Sequence, residues 1–171
     1  VIASIGGGNV GAELLRATAK AAALLKESTD IHFHLFTGMY SDPDLPGELR
    51  QVKNEQLTIH NFCSNFPDWL EAADLSISMA GYNTCMNLLA AGIPALLYPF
   101  AQNREQRMRV AAFSKAAAFI LLETEDLAPI RLTEQIRANM HRKKRRAPAQ
   151  LNGATTSCQL IENPANWKKV L

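Results

Sequence analysis

The chain has 171 residues, 47% of them hydrophobic and 20% charged, which is the composition of an ordinary globular protein. A chain of this length forms one domain with a sizeable core. Its formal net charge of +2 is too small to indicate a nucleic-acid partner. No apolar run in the sequence approaches the roughly 20 residues that a helix needs to cross a bilayer.

The cysteines Cys63, Cys85 and Cys158 are far apart in the sequence and follow no metal-binding spacing. This usage indicates a reduced protein, and we expect it in the cytoplasm. The chain starts at Val1 and enters a strand-like stretch at once, with neither a Met nor a signal peptide. We therefore expect a fragment of a larger protein, in which residues 1–171 form a single domain.

Strand-like and helix-like stretches alternate along the chain. Short apolar stretches predict strands at residues 1–5, 31–37, 57–61, 75–79, 94–98 and 119–122. Longer stretches predict helices at residues 10–26, 66–73, 83–91, 104–116, 127–142 and 156–161. Turn-forming residues predict a loop at 38–47, followed by a short helical turn at 49–53. The alternation predicts an α/β fold with a doubly wound, Rossmann-like parallel sheet of about six strands.

A glycine-rich turn, Gly6 to Gly11, joins the first strand to the first helix. Glycine allows a backbone to approach a ligand closely and to adopt a positive φ. The spacing of Gly6, Gly8 and Gly11 matches G-x-G-x-x-G, but the second strand ends in Phe-Thr-Gly without an acidic residue, which disfavours NAD. A tight turn that binds nothing is the alternative.

A second loop of small residues, from Ala80 to Thr84, leads from the fourth strand into a helix. Gly81 permits close approach, Asn83 suits a helix N-cap, and Thr84 offers a hydroxyl. The amino end of a helix carries unpaired N–H groups and a partial positive charge. The loop therefore predicts an anion site, and at the carboxyl edge of a parallel sheet the anion is most often a nucleotide phosphate. A helix cap at Asn83 alone is the alternative.

These motifs resemble, in order and spacing, the C-terminal donor-binding half of GT-B glycosyltransferases, above all the MurG-type family (glycosyltransferase family 28 C-terminal domain). The resemblance rests on Met79-Ala80-Gly81-Tyr82-Asn83-Thr84, on Ala-Ala-Gly-Ile-Pro-Ala at 90–95, on the apolar strand ending at Pro99, and on the polar segment 101–106. It extends over about residues 1–145. It implies that the domain is one half of a GT-B fold.

The resemblance also implies a set of donor contacts, carried over position by position. It places the donor phosphates at Gly7, Gly8, Asn9, Ala80, Gly81, Tyr82, Asn83 and Thr84. It places the base at Phe62 and Cys63, the ribose at Asn87, and the sugar at Gln102, Asn103, Glu105 and Gln106. A core role for Phe62 and a helix-surface role for Asn87 are the alternatives.

Two positions depart from the family pattern. Asn87 stands where the family has Glu, and an amide lacks the charge-assisted hydrogen bond of a carboxylate. We therefore expect weaker donor binding or a different donor set. By spacing from Pro99, the two adjacent Gln of the family fall on Gln106 and Arg107, so only the first is matched.

The implied function is the binding of a nucleotide-sugar, expected to be a UDP-sugar. The full-length protein would transfer a hexosyl or N-acetylhexosaminyl group, with inversion, to a lipid-linked or other hydroxyl acceptor. It would use no cofactor and no metal. The catalytic residues are expected in an N-terminal acceptor domain absent from this fragment, so the fragment is expected to bind the donor without turnover.

Three alternatives remain open. A stand-alone donor domain paired with a membrane-bound subunit would start with Met, unlike Val1. A nucleotide-sugar epimerase or hydrolase of the same architecture needs converging carboxylates and His, for which the loops offer Glu105 and His60. A non-catalytic module that binds a sugar nucleotide stays open because of Asn87.

A run of five cations, residues 142–146, follows a predicted helix. Such a run usually forms a solvated helix end whose charge suits the helix dipole. Attraction to anionic lipid headgroups, which would place a cytoplasmic protein at the membrane surface, is the alternative. His32 and His34 share one face of a predicted strand, but no third ligand is evident, so we expect no metal site.

Overall fold

The computed structural model describes residues 1–7, 10–26, 30–114, 117–145 and 153–162. Its strands are β1 (Ile2–Ser4), β2 (Phe33–Phe36), β3 (Leu57–His60), β4 (Ser76–Met79), β5 (Ala95–Tyr98) and β6 (Phe119–Leu121). Its helices are α1 (Ala12–Leu25), α2 (Leu45–Arg50), α3 (Phe66–Ala72), α4 (Tyr82–Ala91), α5 (Arg104–Phe113), α6 (Pro129–Asn139) and α7 (Gly153–Glu162), with a 3₁₀ turn at Thr124–Leu127.

The six strands form one parallel sheet in the order β3-β2-β1-β4-β5-β6. The chain first builds outward from β1 to β3 and then returns to place β4 on the other side of β1. The loops after β1 and β4 therefore diverge in opposite directions, which leaves a crevice at the carboxyl edge of the sheet. The predicted doubly wound α/β sheet is confirmed.

The core has two layers, one on each face of the sheet. One layer contains Leu14 and Leu15 of α1, together with apolar residues of α2 and α6. The other contains Leu88 and Leu89 of α4, together with residues of α3 and α5. Side chains of a strand alternate between the two, so Leu96 faces the first layer while its neighbours in β5 face the second. Burying one such leucine fully stabilises the fold by about 1.5–3 kcal/mol.

The secondary structure predicted from the sequence differs most from the observed structure between β2 and β3. Residues 38–47 were predicted as a loop and 49–53 as a helical turn, whereas the structure forms α2 at Leu45–Arg50. Pro46 lies in its first turn, where the missing proline N–H costs nothing, because the first amides of a helix have no helical partner. The helix has only six residues, and two of them, Pro46 and Gly47, are typical of turns, so the sequence pattern predicted a loop.

Helix ends also differ from the predicted bounds. Helix α1 starts at Ala12, because Gly11 adopts a left-handed conformation at φ 101° and forms the N-cap. There a side chain would meet Met79 and Ile5 at less than 3.0 Å, so glycine is required. Helix α6 ends at Asn139, before the predicted end at residue 142. The last two predicted residues of α5, 115 and 116, lie outside the described residues.

Candidate functional site

A cavity of about 350 Å³ opens at the carboxyl edge of the sheet, between the loops after β1, β2 and β3 and the start of α4. It occupies the crevice that the strand order creates. Six of the predicted donor-binding residues line it: Gly7, Phe62, Cys63, Asn83, Thr84 and Asn87. A larger and more open groove of about 830 Å³ runs along the outer edge of β3, and its lining includes no predicted donor residue.

The amino end of α4 faces this cavity without a side-chain cap. Gly81 is the N-cap, with φ −64° and ψ 155°, and its carbonyl accepts the first helical hydrogen bond from the Cys85 N–H at 3.0 Å. The amides of residues 82–84 therefore have no helical partner and stay available to a ligand. The predicted N-cap role of Asn83 is wrong, because Asn83 lies inside the first turn.

The loops after β1 and β2 approach each other so closely that only glycine fits between them. At Gly38, with φ +83°, an added Cβ would lie 2.1 Å from the Gly6 carbonyl oxygen. Gly7 has room, since its added Cβ would meet a Tyr40 ring carbon at an ordinary 3.9 Å. This part of the cavity wall is therefore backbone, which allows a ligand to come close.

The loop after β3 forms the wall opposite α4. Backbone hydrogen bonds hold it against the loop after β2: the Thr37 N–H donates to the His60 carbonyl at 3.0 Å, and the Gly38 N–H to the Asn61 carbonyl at 2.8 Å. Phe62 is 62% exposed and lines the cavity, so the alternative of a core phenylalanine is wrong. Cys63 lies beside it, half-buried.

Neither Cys63 nor Cys85 has the properties of a nucleophile. Burial raises the pKa of the Cys85 thiol to about 11, and the nearby Arg109 charge acts in the opposite direction without overcoming it. Burial also raises the pKa of Cys63, although a backbone hydrogen bond at Asn65 acts against this. Both side chains are thiols at neutral pH, and only a thiolate attacks efficiently.

Ala80, Gly81 and Tyr82 belong to the predicted phosphate loop but do not line the cavity. Ala80 is fully buried; its N–H donates to the Tyr98 carbonyl at 3.0 Å, and its carbonyl accepts from Arg109 Nη1 at 3.1 Å. It offers no free backbone group to a phosphate. Tyr82 is 62% exposed, and its ring lies against the Arg109 guanidinium. The side chains of this loop shape it, while the amides of the first turn of α4 have no partner within the helix.

The predicted sugar-binding segment after β5 sits at the same edge but outside the cavity lining. Asn103 caps α5, since its Oδ1 accepts from the Gln106 N–H at 3.2 Å. Gln106 Oε1 accepts from the Phe100 N–H at 2.7 Å. Glu105 pairs with Arg109 one turn along α5. Gln102 is exposed in the turn before the helix. Two of the four predicted sugar ligands therefore hold the loop in shape.

Arg107, at the position of the second family Gln, faces away from this segment toward the end of β6. Its Nη1 donates to Glu123 Oε1 at 2.7 Å, and this hydrogen bond is the main cause that lowers the pKa of the Glu123 carboxyl. Glu123 also caps the 3₁₀ turn that starts at Thr124. The arginine thus serves a surface ion pair.

His60 belongs to a cluster of rings on the α3 side of the sheet. Its ring stacks on Phe36 with centroids 4.6 Å apart, and its Nε2 lies 3.2 Å from His34 Nδ1. Trp69 closes the cluster, with its ring centroid 5.1 Å from that of His60. His60 does not line the cavity, and Glu105 is paired elsewhere. The convergence of His60 and Glu105 that an epimerase or hydrolase needs is therefore not present.

Several residues that line the cavity were not predicted as ligands. Met39 and Tyr40, in the loop after β2, are 63% and 71% exposed, and Asn61 follows β3. Since β2 neighbours β1 in a parallel sheet, its loop opens at the same edge as the glycine turn. The signal available in the sequence was a glycine soon after β2, Gly38, for which the structure shows a positive φ. Gly8 and Asn9, both predicted phosphate contacts, lie outside the described residues.

The described part of the chain shows no group of three His, Cys, Asp or Glu side chains placed to hold a metal ion. Nor does any helix within it have the length and apolar character to cross a membrane.

Comparison with known proteins identifies the domain. Residues 2–163 match the family model described as glycosyltransferase family 28 C-terminal domain. A relative from Synechococcus elongatus is 36% identical over 132 residues, which cover 76% of this chain and 36% of that protein. It is named UDP-N-acetylglucosamine--N-acetylmuramyl-(pentapeptide) pyrophosphoryl-undecaprenol N-acetylglucosamine transferase. A protein of the same name from Halalkalibacterium halodurans is 37% identical over 84 residues, covering 48% of this chain and 23% of its own length.

Solved structures with the same fold include MurG of Acinetobacter baumannii, at a TM-score of 0.75 and 20% identity, over 94% of this chain and 49% of that one. The calicheamicin glycosyltransferase CalG4 matches at a TM-score of 0.63 and 21% identity, over 82% of this chain and 34% of that one. The chain thus spans about a third of its Synechococcus relative and half of the first solved structure.

Proposed function

Since the chain belongs to the glycosyltransferase family 28 C-terminal domains, we propose that it binds a nucleotide-sugar donor in the cavity at the carboxyl edge of its sheet. The observation that carries the proposal is the uncapped amino end of α4, whose free amides face a cavity of about 350 Å³. Free amides and the positive end of a helix dipole suit a diphosphate.

The cavity offers a place to each part of the donor. The diphosphate would accept hydrogen bonds from the first amides of α4 and from the Thr84 hydroxyl. The base would lie at Phe62 and Cys63, where the ring supplies a stacking surface and the backbone supplies a donor and an acceptor. The ribose would reach Asn87, one turn further along α4. Base and diphosphate would then bind opposite walls.

For the complete protein we propose an inverting transfer. A hydroxyl oxygen of the acceptor attacks the anomeric carbon while the bond from that carbon to the diphosphate oxygen breaks, and a base takes the hydroxyl proton. The leaving nucleoside diphosphate gains negative charge, which the amino end of α4 stabilises without a metal. The general base that takes this proton and the acceptor site would belong to an N-terminal domain, since this chain covers 36% of the Synechococcus relative.

The names of the relatives suggest the substrates. These proteins are named as transferases of N-acetylglucosamine to a pyrophosphoryl-undecaprenol acceptor. We propose a UDP-sugar of the N-acetylhexosaminyl or hexosyl class as donor, and a lipid-linked hydroxyl compound as acceptor. A non-catalytic module that only binds the sugar nucleotide is the second candidate, and it is favoured by Asn87, which is neutral where the family pattern has Glu.

Calorimetric titration of the chain with UDP, UDP-N-acetylglucosamine, dTDP and NAD tests donor binding. We expect saturable binding of the uridine nucleotides and none of NAD. Substitution of Thr84 by Val keeps the side-chain shape and removes the hydroxyl, so it should weaken UDP but not uridine. Absence of binding by every uridine nucleotide would contradict the proposal. Transfer assays on the protein with its N-terminal domain then separate an enzyme from a binding module.

We also propose a cytoplasmic position at the membrane surface. The described cations, residues 142–145, are all exposed, and the Arg145 N–H donates to the Gly92 carbonyl at 2.7 Å, at the sheet edge opposite the cavity. A surface of this kind attracts anionic lipid at about 1 kcal/mol per cation. The chain should sediment together with phosphatidylglycerol vesicles at low salt. The double variant Arg142→Gln, Lys143→Gln should stay in the supernatant. Equal binding to neutral vesicles would contradict this.

A further inference from the structure

We propose that Arg109 is a positioning residue that holds the amino end of α4 in the orientation that receives the donor diphosphate, and that ties it to Glu105 in the predicted sugar segment. The inference rests on the proposed donor site and deepens it. Arg109 does not line the cavity itself. It acts through the loop between β4 and α4.

Three contacts of one guanidinium carry the inference. Arg109 Nη1 donates to the Ala80 carbonyl at 3.1 Å, and Nη2 pairs with Glu105. The guanidinium carbon lies 5.3 Å from the centre of the Tyr82 ring, which is within the range of a cation–π contact. Ala80 lies in the loop between β4 and α4, Tyr82 is the first residue of α4, and Glu105 lies in the first turn of α5.

The burial of these groups shows why the contact matters to the loop. The Arg109 side chain is 11% exposed, unlike that of Glu105, which is 77% exposed. Ala80 is fully buried, and it is the first residue after β4, directly before Gly81 turns the chain into α4. Without Arg109 the buried Ala80 carbonyl would lack its partner, and the turn would rearrange to find one.

The shape of the side chain matters as well as its charge. A guanidinium is planar and presents several donors at fixed angles, so it can serve a carbonyl and a carboxylate while a ring covers its face. A lysine in its place would offer a single flexible ammonium. One rigid group therefore couples the position of Tyr82, the first residue of α4, to the position of Glu105.

If Arg109 positions the start of α4, the effect of losing it on affinity should depend on which part of the donor a ligand carries. The amides of α4 would meet the diphosphate, whereas the base would meet the wall of Phe62 and Cys63 after β3. Displacing the β4–α4 turn should therefore weaken ligands that carry a diphosphate and leave the nucleoside almost unaffected. A merely structural arginine, whose loss loosened the whole domain, would weaken both ligands together.

The test compares the affinities of UDP and uridine, by calorimetry or by amide shifts, in four variants of the chain. Arg109→Ala should weaken UDP about tenfold, which corresponds to the loss of a single well-placed interaction, and should change the affinity for uridine less than twofold. Arg109→Lys should recover part of the loss. Tyr82→Leu, at an exposed ring, should weaken UDP about threefold by removing the cation–π contact.

The matched control is Arg16→Ala, which removes another helical arginine paired with a glutamate (Glu48, at 2.8 Å) on the opposite face of the sheet. Its UDP affinity should not change. Equal losses for UDP and uridine in Arg109→Ala, or no loss, would overturn the inference while leaving the proposed function standing. If Arg109→Ala does not fold, Arg109→Lys and Tyr82→Leu decide, again by comparing the loss of affinity for UDP with the loss of affinity for uridine. Failure of the unsubstituted chain to bind UDP would overturn both proposals.

Discussion

Two helices begin at the same edge of the sheet, and their first turns are built in opposite ways. Helix α4 starts at Gly81 with no side-chain cap, whereas α5 starts at Asn103, whose side chain accepts from the Gln106 N–H at 3.2 Å. Both follow neighbouring interior strands of the sheet, β4 and β5. The first turn of α4 keeps its amides without a side-chain partner, whereas the first turn of α5 satisfies one of its amides with the Asn103 side chain.

The difference supports the proposal that one sheet edge recognises two chemically different groups, the diphosphate and the sugar of the donor. An anion needs N–H donors and a positive dipole, which an uncapped helix supplies through its backbone. Neutral hydroxyl groups need donors and acceptors together, which side chains such as Gln102 and Glu105 supply. A capped helix can hold such side chains in place without drawing an anion away from α4.

The largest expected effect comes from giving α4 a charged cap. Gly81 has ordinary backbone angles, and the nearest atom to an added Cβ is Thr84 Oγ1 at 3.7 Å, so Asp fits there. Its carboxylate would cap the amides and repel the diphosphate, so we expect Gly81→Asp to weaken UDP about 100-fold. The variant should melt at the same temperature as the native chain or higher.

Gly81→Asn is the matched control, since it caps without charge. It should gain similar stability and lose roughly tenfold in UDP affinity, because the amide competes for the same N–H groups but does not repel the ligand. An unchanged UDP affinity in the Asp variant would show that α4 does not hold the phosphates.

The converse change at α5 should affect stability instead of binding. Asn103→Ala removes the cap, and we expect a loss of about 1 kcal/mol in the free energy of unfolding, measured by urea denaturation. UDP affinity should stay within twofold, because Asn103 lies outside the cavity lining and its hydrogen bond joins it to the Gln106 N–H of α5, whereas Arg109 contacts the turn before α4. Asn103→Asp, which keeps the cap, is the control. A large loss of UDP affinity in Asn103→Ala would remove the distinction between the two helices.

A smaller effect is expected at Asn87, on the cavity side of α4. Asn87→Glu introduces the carboxylate of the family pattern and should strengthen UDP about fivefold, since a charged hydrogen bond to a hydroxyl exceeds a neutral one by about 1 kcal/mol. The gain should vanish with a 2′,3′-dideoxy analogue of UDP. A gain that persists with that analogue would mean that the residue does not meet the ribose.

The smallest effect is a pH dependence that leaves both helix starts alone. Burial lowers the pKa of His34 and of His60 below the ordinary value, and for His34 the neighbouring charges of His60, the amino terminus and His32 lower it further. Below about pH 6.5 the unfolded chain therefore binds more protons than the folded chain. The contribution of these histidines to the free energy of unfolding is complete above that pH and decreases below it.

We expect the urea midpoint to fall between about pH 7 and pH 5.5, because that window lies at and below the unfolded histidine pKa. The variant with both His34→Gln and His60→Gln should show a flatter profile over the same range. An identical slope in the two proteins would assign the dependence to other groups.

Much of the fold could be predicted from the sequence, because buried parallel strands and amphipathic helices leave clear local patterns. All six predicted strands are present, with bounds within a few residues. The exception, α2, shows the limit of local reasoning. Pro46 and Gly47 predict a loop, yet Leu45 and Leu49 are buried against the sheet, and packing prevails over propensity.

The candidate site was predictable in part. Gly7, Phe62 and Asn83 come together because the carboxyl ends of parallel strands share one edge, which the strand pattern already implies. The roles of individual groups were less accessible. Asn83 was predicted as the N-cap of α4, but the N-cap position is Gly81, two residues earlier, and sequence patterns rarely fix the start of a helix to better than that.

By itself, the sequence determined the class of the fold, the edge of the sheet at which we propose that a ligand binds, and the family resemblance, since these follow from periodicity and from motifs a few residues long. Only the tertiary structure decided which polar groups are free and which are already engaged. Arg109 shows why. It lies 29 positions from Ala80, whose carbonyl it meets, and no local pattern records a hydrogen bond between residues so far apart in the chain.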